Sequence, residues 1–108
     1  MIEGTGCDLV RISRIDRYLD QLETRILSQA DRRLAAGFSR KRRLEFAAGR
    51  FALKESLVKA FHGTRTAGSF LIETGESGQP VVVGERLRIS CSVSHDGEYA
   101  MAWVVVES

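Results

Sequence analysis

Apolar residues recur at the helical period up to about residue 63 and at a period of two from Gly68 onward, so helices are expected first and strands afterwards. The opening "MIEGTGCDLV" is an exception. Its glycines at 4 and 6 disfavour a helix, and alternation places Ile2, Gly4, Gly6 and Asp8 on one side of a short strand, with Asp8 projecting from its end. Ser13, with Asp16 three residues on and Ile15, Tyr18, Leu19 and Leu22 at helical spacing, predicts a helix over 13–24. A second start signal at Ser28, again with an acid (Asp31) three residues later, predicts a short helix closed by Gly37. A long helix follows from Ser39 to Gly63. Strands are predicted over 70–73, 81–83, 87–94 and 99–106, with "ESGQP" and "HDGE" as turns, and "DG" at 96–97 marks the final hairpin. In the third of these strands Leu87, Ile89, Cys91 and Val93 can face a core while Arg88, Ser90, Ser92 and Ser94 face away. The expected architecture is one α+β domain over 1–108, with an N-terminal strand, helices, and a long central helix packed on an antiparallel sheet.

The long helix carries a contradiction. At about 100° per residue, with Phe51 as zero, Val58 falls near about −20°, Leu44 near +20° and Ala48 near +60°, and Glu55 lands among them at about +40°. Phe46, Leu53 and Leu57 lie on the opposite side, so the helix is expected to be covered by its own sheet and by something else, a cover that a second subunit could supply. A carboxylate in such surroundings needs a cation or a metal. Lys59, one turn on, offers the common i,i+4 pair, worth roughly 0.3 to 0.5 kcal/mol at a surface. Asp8 offers another answer, because two carboxylates with room for water suit Mg²⁺, and Arg50, Lys54 and Lys59 would then clamp phosphate. Spacing leaves both readings open.

Composition narrows the class without choosing between them. The 108 residues, 44% hydrophobic and 28% charged, fit one globular domain, and a net charge of +2 gives only a weak preference for anionic partners. The run "SRKRR" at 39–43 opposes the helix dipole and would welcome an anion, but without stacked aromatics it gives no case for nucleic acid. Cys7 and Cys91 sit in apolar stretches and form no disulfide framework; with the two histidines they have neither zinc spacing nor the look of a Cys–His pair. "GTG" lacks the rest of a dinucleotide fingerprint. No signal peptide and no segment long enough for a bilayer is visible, so a cytoplasmic protein is expected. His95, at a strand end beside the hairpin, is placed to meet a phosphate or base, whereas His62 is expected to cap the last carbonyls of the long helix.

Three stretches taken together, "GCDLVRISRI", "EFAAGRFALKESLVKAF" and "SVSHDGEYAMA", resemble the motifs of bacterial holo-[acyl-carrier-protein] synthases, the small class of 4'-phosphopantetheinyl transferases. They occur in the family's order and span nearly the whole chain. The resemblance implies Mg²⁺-dependent transfer of 4'-phosphopantetheine from coenzyme A to a serine of acyl carrier protein, with release of 3',5'-ADP, in fatty-acid or related biosynthesis. By matching position it implies Asp8 and Glu55 as metal ligands and Lys59 as a phosphate contact or aid to proton transfer. Arg50, His95 and the turn Ser77 to Pro80, with Gly78, fall where the family holds the nucleotide, and Lys54 accompanies them. Arg14 falls where the family's first helix docks the carrier protein, with Arg11 and Arg17 three residues to either side. A homotrimer with sites between subunits is implied as well. The chain departs from the pattern in being shorter before residue 39 and in carrying Cys7 beside Asp8. Two competing expectations are an electrostatic binding module using Arg11, Arg14 and residues 40–43, and a structural trimer in which Glu55 and Lys59 only fix register.

Overall fold

The computed structural model describes residues 1–108. β1 (Ile2–Arg11) passes through two isolated 3-10 turns, Ile12–Arg14 and Asp16–Tyr18, into α1 (Leu19–Ile26), α2 (Gln29–Ala35) and α3 (Arg40–Ala60). A third such turn (Ala67–Ser69) precedes β2 (Leu71–Thr74), β3 (Pro80–Val83), β4 (Arg88–Asp96) and β5 (Tyr99–Glu107). The sheet has the antiparallel order β1-β5-β4, while β2 and β3 pair separately. The α+β arrangement is the one the change of period predicts.

Small residues set the distance between α3 and the sheet. Gly4, Gly6, Asp8 and Val10 point to α3 from β1, and Ala100, Ala102, Val104 and Val106 are buried on β5. A Cβ on Gly6 would overlap the carbonyl oxygen of Ser56, and one on Gly4 would overlap that of Ala60. The helix therefore lies directly on the backbone of β1. Ser56 seals the contact, its hydroxyl donating to Ala52 O at 2.8 Å and lying 3.2 Å from Ala102 O.

Serine caps start two helices as predicted. Ser28 Oγ accepts from Asp31 N and Ser39 Oγ from Arg42 N. The start predicted at Ser13 is absent. Its side chain caps nothing, the Asp16 carboxylate is taken by Arg40, and the chain turns twice before α1 begins at Leu19. β1 is also longer than expected, so Asp8, opposite Ala102, sits within the strand rather than at its end. At the C-terminus of α3, His62 adopts φ 58° and Gly63 N–H bonds to Val58 O at 2.9 Å. The His62 ring meets Glu3 O of β1 at 3.0 Å instead of capping helix carbonyls.

The cover that α3 is expected to need beyond its sheet, and that a second subunit could supply, comes from within the chain. Ala47, Ala52, Leu53 and Leu57 are wholly buried within the one chain, in a core shared with Leu19, Phe70 and Ile72. α1 and the turn at 67–69 complete that cover, and at the helix end Arg65 stacks on Phe61 and Phe70 and pairs with Glu85. The uncovered apolar surface lies instead on the far side of the sheet, where Leu9, Met101 and Trp103 are 64%, 40% and 47% exposed. No helix is long and apolar enough to cross a membrane.

Candidate active site

The close approach of α3 to β1 brings the two sequence-predicted acids into one cleft. Asp8 from the strand and Glu55 from the helix line a cavity of about 710 Å³ together with Arg14, Tyr18, Arg25 and Phe51. Lys59 does not pair with Glu55. Its Nζ stands 3.3 Å from Asp8 Oδ1 and donates to Cys7 O at 2.8 Å. Glu55, half-buried, makes no hydrogen bond or ion pair with the protein. The local ion pair thus fails to account for Glu55, and two carboxylates remain with space between them and solvent. No third histidine, cysteine or acid joins them to complete a protein-only cage.

A second cleft, of about 660 Å³, gathers Arg50, Gly78, Pro80 and His95, four of the five residues expected at the nucleotide. Gly78 takes φ 83°, and its N–H bonds to Gly75 O at 2.9 Å, which folds Ser77 to Pro80 into a turn at the cleft wall. Arg50 is held from several sides. Its Nε lies 3.3 Å from Asp31 Oδ2, its Nη2 donates to Thr74 Oγ1 at 2.8 Å, and the guanidinium rests 4.7 Å over the Phe46 ring. His95 Nδ1 stands 3.5 Å from Glu45 Oε2. Cys91 also faces this cleft, its thiol directed to Pro80 O, and burial pushes its pKa up, which favours the thiol over the thiolate.

Other candidates lie elsewhere. Lys54 is buried on α3 and lines neither cleft; desolvation lowers its pKa. Arg11, Arg14 and Arg17 do not share a helical face, because the chain there is a strand end followed by turns. Arg11 bonds Tyr99 Oη at 2.9 Å, Arg17 stacks on Tyr18, and only Arg14 enters the acid cleft. Arg25, which the sequence reading missed, joins it there. Its signal was the helical spacing of Tyr18, Leu22 and Arg25.

The two clefts share no lining residue. Phe51 and Glu55 face one, and Phe46, Gly49 and Arg50, roughly half a turn round α3, face the other.

Residues 4–104 match the profile of the 4'-phosphopantetheinyl transferase superfamily. The chain belongs to this family. A holo-[acyl-carrier-protein] synthase from Geobacillus sp. (strain WCH70) is 40% identical over 116 residues, covering 99% of this chain and 98% of its own. The family's fold extends over the whole chain. The crystal structure of a holo-(acyl-carrier-protein) synthase from Bacillus anthracis str. Ames in complex with CoA (3',5'-ADP) superimposes with a TM-score of 0.90 at 34% identity, covering 100% of this chain and 98% of that one. The corresponding synthase from Neisseria meningitidis gives a TM-score of 0.83 at 28% identity, with full coverage of both chains.

Proposed function

We infer that this chain, acting as one domain over 1–108, carries out the holo-[acyl-carrier-protein] synthase reaction. It would move 4'-phosphopantetheine from coenzyme A to a serine of apo-acyl carrier protein, in fatty-acid or related biosynthesis. The observation that carries the inference is the meeting of Asp8 and Glu55, from the first strand and the long helix, in one cleft where Glu55 has no cation of its own.

The chemistry asks for what the two clefts offer. The serine Oγ bonds to the β-phosphorus of coenzyme A as the bond to the bridging oxygen breaks and 3',5'-ADP departs; negative charge spreads over phosphate oxygens and must be met by fixed positive charge. Two carboxylates open to water and phosphate fit Mg²⁺, which takes few protein oxygens, so Asp8 and Glu55 would hold it. Bound there, the ion would neutralise charge on the pyrophosphate. Lys59, beside Asp8, adds a second cation at the same place. A Glu55 oxygen has no competing partner on the chain and can accept the serine proton. Arg50 and His95 would hold the phosphates of the nucleotide end, with the Ser77 to Pro80 turn beside the adenine. Arg14 and Arg25, flanking Tyr18, present positive charge to an acidic carrier protein, and Arg11 and Arg17 extend it.

Because the clefts face different sides of α3, one donor molecule would be completed by the acids of one subunit and by Arg50 and His95 of another. The exposed face of Leu9, Met101 and Trp103 supports such an assembly, and a homotrimer is the form we propose. Incubation with apo-carrier protein, coenzyme A and Mg²⁺ should add the mass of phosphopantetheine to the carrier protein, read by mass spectrometry. No gain across several carrier proteins would refute the inference.

A further inference from the structure

We propose that Asp31 on α2 and Thr74 at the end of β2 are positioning residues for Arg50, fixing its guanidinium so that the edge carrying Nη1 meets the phosphate of the donor nucleotide. The proposal rests on the assignment of the second cleft to that nucleotide. Neither residue lines the cleft. Both act from behind it.

The three side chains form a closed ring. Arg50 Nε faces Asp31 Oδ2 at 3.3 Å, Arg50 Nη2 donates to Thr74 Oγ1 at 2.8 Å, and Thr74 Oγ1 donates to Asp31 Oδ1 at 2.7 Å. The Asp31 and Arg50 side chains are only 4% and 5% exposed, so the pair is shielded from solvent and salt. The Asp31 carboxylate is spoken for on both oxygens, and its backbone N–H caps at Ser28 Oγ, which fixes the residue at the start of α2. With Phe46 under the guanidinium plane, the Nε and Nη2 edge and one face are occupied.

Donor accounting shows what is left. A guanidinium carries five N–H groups, and here Nε and one hydrogen of Nη2 are used. Nη1 bonds to no protein atom, yet no unpaired polar side-chain atom is sealed from solvent, so Nη1 opens to the cleft Arg50 lines. A planar fork with one edge tied down and the other free is suited to a phosphate, which it can meet through two parallel bonds. Without the ring the long side chain would have to be ordered by the ligand itself, which would weaken binding of the donor more than the chemical step.

The test separates affinity from turnover. Thr74→Val keeps the shape and removes the hydroxyl; it is expected to raise KM for coenzyme A and Kd for 3',5'-ADP by about 3- to 10-fold, with kcat changed less than about twofold. Thr74→Ser, which restores the hydroxyl, should recover both, and Asp31→Asn should weaken 3',5'-ADP at least as much as Thr74→Val. Thermal unfolding of each variant reports stability apart from binding. Wild-type KM and Kd in both Thr74→Val and Asp31→Asn, alongside a large loss in Arg50→Ala, would overturn the positioning role while leaving the cleft's assignment intact. Unchanged 3',5'-ADP affinity in Arg50→Ala would overturn the assignment and the proposal together.

Discussion

Lys59 turns away from Glu55, its neighbour one helical turn earlier, and reaches Asp8 on β1, with Nζ 3.3 Å from Oδ1. The helix thereby delivers a cation to one acid and leaves the other bare. Lys59 is 56% exposed on its side chain, so the pair contributes less than about 1 kcal/mol to folding, and its position beside Asp8 has a use in charge placement instead. Lys59→Ala should therefore lower turnover by about 10- to 100-fold while leaving stability within about 1 kcal/mol of wild type. Steady-state rates and a urea titration check both halves; a normal rate with lost stability would reverse the assignment.

Gly6 determines whether the acids meet at all. Any Cβ there strikes the Ser56 backbone, which has no rotamer to yield, so Gly6→Ala must push α3 off β1. A loss of about 2 to 4 kcal/mol in urea unfolding is expected, with turnover falling as Glu55 is displaced from Asp8. Gly68→Ala, where nothing lies within 4 Å, is the control and should be near neutral.

Lys54 should imprint itself on the pH dependence of stability. Burial lowers its folded pKa below the ordinary 10.5, so from that lowered value up to about 10.5 the unfolded chain binds more protons and stability rises with pH. Cys91 acts in the opposite sense, since its raised folded pKa makes stability fall above 9.0. Lys54→Met keeps Cys91 and so isolates the lysine. The variant should be about 1 kcal/mol more stable than wild type near neutral pH, with the gap closing as pH rises toward 10.5, measured by denaturant titration at several pH values.

Trp103 tests the assembly. It pairs with Cys7 across β1 and β5 and stands 47% exposed beside Met101 and Leu9 on the outer sheet face. Trp103→Glu should convert the proposed trimer to monomers by light scattering and lower transferase activity by at least about 10-fold, because on that proposal each subunit holds only half of a site. A monomer of full activity would show that one chain suffices.

Much of this was legible in the sequence where a local rule governs. Ser28 and Ser39 cap helices because the bonds they make are to residues three positions on, and the final hairpin forms where "DG" marks it, turning at Gly97 and Glu98 with Gly97 at φ 57°. Alternation placed Gly4, Gly6 and Asp8 on one side of β1, and that side faces α3. Local rules failed where partners are remote. Ser13 resembles a cap, but Asp16 is drawn to Arg40. Lys59 had a neighbour at i−4 and chose a strand instead. Lys54 and Arg50 look alike on a helical wheel, yet only Arg50 meets an acid from α2 and a hydroxyl from β2. The cover of α3 beyond the sheet came from α1 and from Phe70 and Ile72, whose approach to the helix no periodicity reveals.

The most direct measurement is calorimetric titration of coenzyme A with and without Mg²⁺, at fixed ionic strength, in wild type, Asp8→Asn and Glu55→Gln. If the two acids share one divalent ion that receives the pyrophosphate, Mg²⁺ should tighten coenzyme A binding in wild type and lose that effect in both variants while 3',5'-ADP still binds. Persistence of the full Mg²⁺ effect in either variant would contradict a shared site.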